Sequence, residues 1–227
     1  MIAVIVPAHN EEARILDCLA TVNTASRSRF LLGEKVAVIV VTDACTDQTG
    51  AIARRMGAVV VEVNGRNVGL ARAAGADLAL AAGARWLACT DADSLVGCDW
   101  LAAQLALQCD AVCGTVAVED WGDYGERMQR HYELTYTDAD GHRHIHGANL
   151  GVSAAAYRRA GGFQALASSE DVALVEALRN CGASIAWSAA PRVVTSSRKT
   201  FRAPAGFGAT LERIERESDA VVDGAPR

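Results

Sequence analysis

Aromatic residues are scarce in this chain: Phe, Trp and Tyr make up 5% of its 227 residues, while hydrophobic residues as a whole make up 51%. The core must therefore be aliphatic, which suits stacked layers of strands and helices better than an all-β sandwich with aromatic ladders. No run of Lys or Arg is dense enough to track a phosphate backbone, and the formal net charge is −5. Nucleic acid is therefore not an expected partner. Long apolar runs are missing too. The longest stretch free of Asp, Glu, Lys and Arg, His144 to Tyr157, is too short and too polar to span a bilayer. The opening Met-Ile-Ala-Val-Ile-Val-Pro lacks the basic start of a signal peptide and reads as a buried strand. Seven cysteines (Cys18, Cys45, Cys89, Cys98, Cys109, Cys113 and Cys181) form no CxxC pair. They read as reduced thiols used as small hydrophobes. These absences together describe a soluble, cytoplasmic protein with no membrane span, for which peripheral association stays open.

What is present is a regular beat of one domain's length. Apolar runs at Ile2–Val6, Val36–Val41, Ala58–Val63, Trp86–Cys89 and Ala111–Val118 alternate with helical patterns. The first helix sets Ile15, Leu19 and Val22 on one face, and others are expected near Asp47–Met56, Val68–Ala82 and Trp100–Gln108. Unbroken apolar strands separated by helices predict a mostly parallel sheet covered on both faces, an α/β fold. The second half is less regular. Glu119–Arg143 is polar, with a turn-like Asp138-Ala139-Asp140-Gly141. An apolar segment follows at Ile145–Val152, then helices near Ser153–Ala160 and from Glu170, and a charged helix around Gly208–Ser218. A single domain over 1–227 is expected, regular over 1–118 and specialised over 119–227.

Open parallel sheets bind ligands outside the carboxyl ends of their strands. Those ends read Pro7-Ala8-His9-Asn10-Glu11-Glu12, Thr42-Asp43-Ala44-Cys45-Thr46-Asp47, Asn64-Gly65-Arg66-Asn67 and Asp91-Ala92-Asp93. Carboxylates crowd three of the four. Like charges gathered together repel, and a divalent cation would relieve them. Asp91 and Asp93, one residue apart just past a strand, could share Mg²⁺ or Mn²⁺ through oxygen ligands. Asp43 could accept from an N–H on a nucleobase edge, or could cap the helix that follows it. Ser168 and Asp171 have the spacing of a capping box. Asp171 also shares a helical face with Leu174, Val175 and Leu178, which would place a carboxylate inward to take a proton from a hydroxyl.

In this order the segments 4–12, 40–47 and 67–72, Asp91-Ala92-Asp93 (an Asp-x-Asp motif), Gly147-Ala148-Asn149-Leu150 running on to Gly161-Gly162-Phe163, and Glu170-Asp171 resemble the family 2 glycosyltransferases. These have the GT-A fold. The resemblance spans Ile2 to about Ser197. It implies transfer of a sugar, of hexosyl type, from a nucleotide-diphosphate donor to an acceptor hydroxyl with inversion. Pro7, Ala8, His9, Glu11, Asp43, Asn67, Arg72 and Asp91 would bind the nucleotide-sugar, Asp91 and Asp93 a divalent cation (Mn²⁺ or Mg²⁺), and Asp171 with Glu170 the acceptor proton. The acceptor itself stays open. Two features depart from the family. No His follows the last apolar run, where Val193 to Lys199 offers Arg198 and Lys199 instead. The Gln-x-x-Arg-Trp element of processive synthases is absent, so a single transfer is expected.

Other readings stay open. His142, His144 and His146 alternate and could form a transition-metal site, or a polar loop with His146 near the donor. Trp121, Tyr124, Tyr132 and Tyr136 could stack on an acceptor or form the core of a flap. The basic run Arg198–Arg202 could close as a lid. A catalytically inactive nucleotide-binding module is one alternative function. A sugar-1-phosphate nucleotidyltransferase is another, but it would want a Gly-rich basic loop where residues 7–12 stand. An NAD enzyme would need GxGxxG there.

Overall fold

The computed structural model describes residues 1–118, 121–197 and Glu215. The run Arg198–Arg202 and the helix expected at Gly208–Ser218 lie outside the described residues. Seven strands form one sheet: β1 (Ile2–Ala8), β2 (Val36–Asp43), β3 (Val59–Val63), β4 (Trp86–Cys89), β6 (Ala111–Gly114), β7 (Leu150–Ser153) and β8 (Ile185–Ser188), in the order β3-β2-β1-β4-β7-β6-β8. A short antiparallel pair, β5 (Leu95–Val96) with β9 (Val193–Val194), stands beside it. β1 pairs in parallel with β2 and β4, β2 with β3, and β6 with β8. Only β7 runs against its neighbours β4 and β6. The sheet is thus mostly parallel, as the alternation of elements predicts.

The first strand shows why its sequence has no polar alternation. Ile2, Val4 and Val6 pack on one face with Ile15, Cys18, Leu19 and Val22 of α1 (Ile15–Ala25). Ala3 and Ile5 pack on the other, with Ala71, Ala76 and Ala79 of α3 (Val68–Ala81). A strand buried on both sides must be apolar at every position. Each large aliphatic side chain sealed this way contributes about 1.5–3 kcal/mol. The helix α3 lies unusually close: a Cβ at Gly75 would come within 2.7 Å of Ile5 Cγ2 and 3.0 Å of Val41 Cγ2. Its first turn is closed by Asn67, whose side chain accepts from the Leu70 N–H at 2.9 Å. Between α1 and α3 comes α2 (Thr49–Arg55), and after β5 comes α4 (Trp100–Ala106), both shorter than their apolar patterns suggest.

Residues 111–152 depart from expectation in three places. The polar region 119–143 contains a helix, α5 (Gly125–Thr135), which buries only Met128 and Tyr132. These pack with Trp121 and Tyr124 into a satellite core. Trp121, Tyr124 and Tyr132 are all buried, so they are not an open platform for an acceptor. The strand expected over Ile145–Val152 begins only at Leu150, and the one expected over Ala111–Val118 ends at Gly114. The helices α6 (Ala154–Arg159) and α7 (Glu170–Asn180) stand where their patterns place them. Among the described residues no helix is long and apolar enough to cross a membrane.

Candidate active site

The parallel strands β1, β2 and β4 end on the same side of the sheet, and the loops leaving them are tied together by backbone-to-side-chain bonds. His9 Nδ1 lies 2.6 Å from the Asp43 carbonyl oxygen. The Asn10 side-chain oxygen accepts from the Thr46 N–H at 2.7 Å. The Glu11 N–H donates to the Thr49 hydroxyl at 2.8 Å, and the Glu12 N–H to Asp47 at 3.1 Å. In return the Gln48 N–H donates to Glu12 at 2.9 Å. Asn10 and Ala44 both hold positive φ, 52° and 50°, in the left-handed region that costs a residue with a Cβ. The two loops are therefore one framework, with Pro7 and His9 half-buried and Ala8 and Glu11 buried in it.

Asp43 ends β2 but does not cap the helix that follows it. Its carboxylate is buried and accepts three backbone N–H groups, from Gly65 at 2.7 Å, Arg66 at 2.8 Å and Asn67 at 2.6 Å. It holds the loop between β3 and α3 rather than capping α2. The Asp47 carboxylate takes that role instead, accepting from the Thr49 N–H at 3.0 Å and its hydroxyl at 2.6 Å. Asn67, expected on the donor, has its polar atoms taken by Asp43, Leu70 and the Ala165 carbonyl.

The centre of the site is a buried arginine. Arg72 on α3 donates through Nη2 to Asp91 Oδ1 at 2.5 Å and through Nη1 to Glu170 Oε1. The Arg72 and Glu170 side chains are each 4% exposed, whereas Asp91 is 37% exposed. Glu170, expected to share the proton transfer, is turned into the core, and Arg72 is enclosed rather than presented to solvent. The capping box, the alternative reading of Ser168 and Asp171, does not form at the start of α7. Ser169 begins the helix at φ 61° without a side-chain bond. Asp171 sits half-buried at the rim, where Oδ2 accepts the Gly147 N–H at 2.7 Å and Oδ1 the Val172 N–H at 2.8 Å. Gly147 must be glycine here, since a Cβ would lie 2.4 Å from both Arg72 Nη atoms. Nothing in its local sequence signals this role; the partner is 24 residues away.

Two buried thiols report how the charges gather. Burial pushes Cys18 on α1 upward, and the negative charges of Asp93, Asp91 and Glu11 add to it. Burial pushes Cys89, the last residue of β4, up to about 12; Arg72 opposes this while Asp91 and Asp171 reinforce it. The structure thus brings Glu11, Asp91, Asp93, Arg72 and Asp171 to one end of β4. Among the described residues no group of three or more His, Cys, Asp or Glu is arranged to hold a metal. Asp91 and Asp93 are still suitable hard oxygen donors, because Mg²⁺ and Mn²⁺ commonly take one or two carboxylates and complete the shell with phosphate and water.

The three alternating histidines do not converge on a point. Their rings stack, His142 on His144 at 5.5 Å and His144 on His146 at 5.8 Å, and Tyr136 stacks on His144 at 4.1 Å. The His146 Nε2 lies 3.0 Å from the Tyr136 hydroxyl, and the His144 Nε2 accepts from the Thr137 N–H at 3.3 Å. A metal reading of this trio is not supported.

Comparison with known proteins follows the same lines. Over 70 residues the chain is 37% identical to the Haloferax volcanii low-salt glycan biosynthesis hexosyltransferase Agl6, a match covering 31% of this chain and 16% of that protein. The S. aureus protein TarS, solved with UDP-GlcNAc, superposes with a TM-score of 0.67 at 17% identity, over 96% of this chain and 66% of its own. The mannosyltransferase PcManGT from Pyrobaculum calidifontis, solved with GDP-Man and Mn²⁺, superposes with a TM-score of 0.63 at 23% identity, over 100% and 65%. The chain thus spans less than two thirds of these relatives' own lengths, and the structural likenesses speak for the GT-A fold. The family model for glycosyl transferase family 2 matches residues 3–161, most of the chain, so the protein belongs to that family.

Proposed function

We propose that this chain transfers a hexosyl group from a nucleoside-diphosphate donor to an acceptor hydroxyl, with inversion, one transfer per binding event. One observation carries the reading. The half-buried Asp171 carboxylate, fixed by the Gly147 N–H, and the Asp91 that Arg72 clamps both bear on Cys89 at the end of β4, and Gly147 itself packs against Arg72. A base and a donor-side carboxylate are thereby held on one rigid unit, which is what in-line transfer needs.

In this mechanism the Asp171 carboxylate takes the proton of the acceptor hydroxyl as its oxygen attacks the anomeric carbon. The new C–O bond forms as the bond from that carbon to the diphosphate oxygen breaks. The electron pair leaves with the nucleoside diphosphate, and the configuration inverts. Arg72 and Glu170 do not touch the reacting atoms; they position Asp91 and the start of α7. The joined loops 7–12 and 43–49 supply the wall for the nucleobase. Asp91 and Asp93 would hold a divalent cation, and such an ion supplies charge neutralisation to the departing diphosphate.

The relatives carry uridine and guanosine donors, so the base is decided by measurement. Thermal-shift assays with UDP, GDP, dTDP and CDP, each with and without Mn²⁺, should show stabilisation by one nucleotide, enlarged by Mn²⁺ and reduced in Asp93→Ala. No shift with any nucleotide at millimolar concentration would overturn the reading. A shift with no turnover of any donor would favour a binding module instead.

A further inference from the structure

The end of the sheet opposite the candidate site carries the reverse charge. There the turn between α1 and β2 displays Arg27, Arg29 and Lys35, all exposed. The exposed Arg55 closes α2 on the same end, because β2 and β3 run in parallel with Ile39 opposite Val59. The nearby Glu34 is already matched by Arg85, which donates to it at 2.5 and 2.7 Å. Asp99, also close, accepts from Ser28 at 3.0 Å. In a chain of net charge −5 this end thus sets Arg27, Arg29, Lys35 and Arg55 against Asp99, whose partner Ser28 is neutral.

Between those cations two large apolar side chains face solvent. Phe30 is 58% exposed and Leu32 is 92% exposed. The Arg29 guanidinium lies 4.9 Å from the Phe30 ring centroid, which lets cation and ring approach a surface together. Leu32 is held at φ 53°, a conformation that disfavours any side chain with a Cβ. The adjoining Leu31 is buried and serves the core. Leu32 serves nothing inside the fold, so neither packing nor backbone comfort accounts for it.

We propose that this basic, apolar tip is a docking surface for an anionic lipid bilayer, with Phe30 and Leu32 entering the headgroup region and Arg27, Arg29, Lys35 and Arg55 facing the lipid charge. Apolar side chains flanked by Lys and Arg are the pattern that binds such interfaces. Bound in this way the molecule turns its acidic end outward. The candidate site then opens toward solvent rather than into the bilayer that holds the protein. This inference does not depend on the transferase reading.

Co-sedimentation with vesicles tests it. The protein should pellet with phosphatidylcholine vesicles containing phosphatidylglycerol, stay in solution with phosphatidylcholine alone, and be released by salt. Exchanging Arg29 and Lys35 for Gln should weaken binding by roughly fivefold for each cation removed. Phe30→Ser with Leu32→Asn should also weaken it, with the melting temperature held or raised, since both side chains are exposed and Asn tolerates positive φ. No binding to anionic vesicles at low salt would overturn the proposal. So would undiminished binding by both variants. A dimer seen by sedimentation velocity, dissolved by the Phe30 and Leu32 changes in protein that binds no vesicles, would assign the tip to self-association instead.

Discussion

The backbone N–H of Gly147 donates to Oδ2 of Asp171 at 2.7 Å, joining the turn before β7 to the first residues of α7. Its other close neighbour is the Arg72 guanidinium, against which any Cβ would clash. A single glycine therefore aligns a carboxylate with one atom and leaves room for a cation with another. The candidate base is oriented by main chain, which has fewer ways to move than a side chain.

Asp171→Asn should retain the Gly147 bond, because an amide oxygen accepts as a carboxylate does, but should lose the ability to take a proton. Donor turnover is expected to fall by about 10²–10⁴-fold, with the nucleotide-induced rise in melting temperature preserved. Turnover within a few-fold of the parent would remove Asp171 from the role of base.

Arg72→Met should leave Glu170 buried without its cation, at a cost of about 3–5 kcal/mol, read as a lower urea midpoint. Adding Glu170→Gln should recover part of that loss, since the orphaned charge is then gone. If the two changes prove additive in a double-mutant cycle, the ion pair is not the coupling described above.

Burial pushes His146 down from 6.5 to about 3, and the neighbouring His144 and His142 push it the same way. His144 is lowered as well, chiefly by burial. The unfolded chain thus takes these protons before the folded one does. The stability from His146 is complete above about 6.5 and is lost progressively as pH falls toward about 3. His146→Gln should flatten the fall of melting temperature across that window; an unchanged slope would show that the ring stack carries no such linkage.

Much of this architecture is legible in the residues themselves, for a physical reason. Strands buried on both faces, such as Ile2–Ala8, must be apolar throughout, and the polar residues that end them stand out. Asp91, Asp93 and Glu11 are visible in this way. The direction of β7 is not visible, because an antiparallel strand in the middle of a covered sheet is as apolar as a parallel one. The helix α5 escapes because two buried residues in eleven give too faint a period. At the start of α7 the arithmetic is ambiguous: Glu170 and Asp171 each share a face with Leu174 and Leu178. Packing against Arg72 decides that Glu170 goes inward. The role of Asp43 was hidden because its partners stand 22 to 24 residues further on.

Arg72 and Glu170 are separated by 98 residues, and that distance has a bearing on biogenesis. A nascent chain that has emerged only as far as residue 161, where the family match ends, already holds every donor-side loop. It lacks Glu170, one of the two carboxylates that match Arg72, and the candidate base. Such a fragment leaves Arg72 with Asp91 alone and uncovers the core face that Leu174, Val175 and Leu178 of α7 seal, so it should be a substrate for proteolytic quality control. Release from the ribosome before α7 would then yield a degraded fragment rather than a half-enzyme that sequesters donor nucleotide.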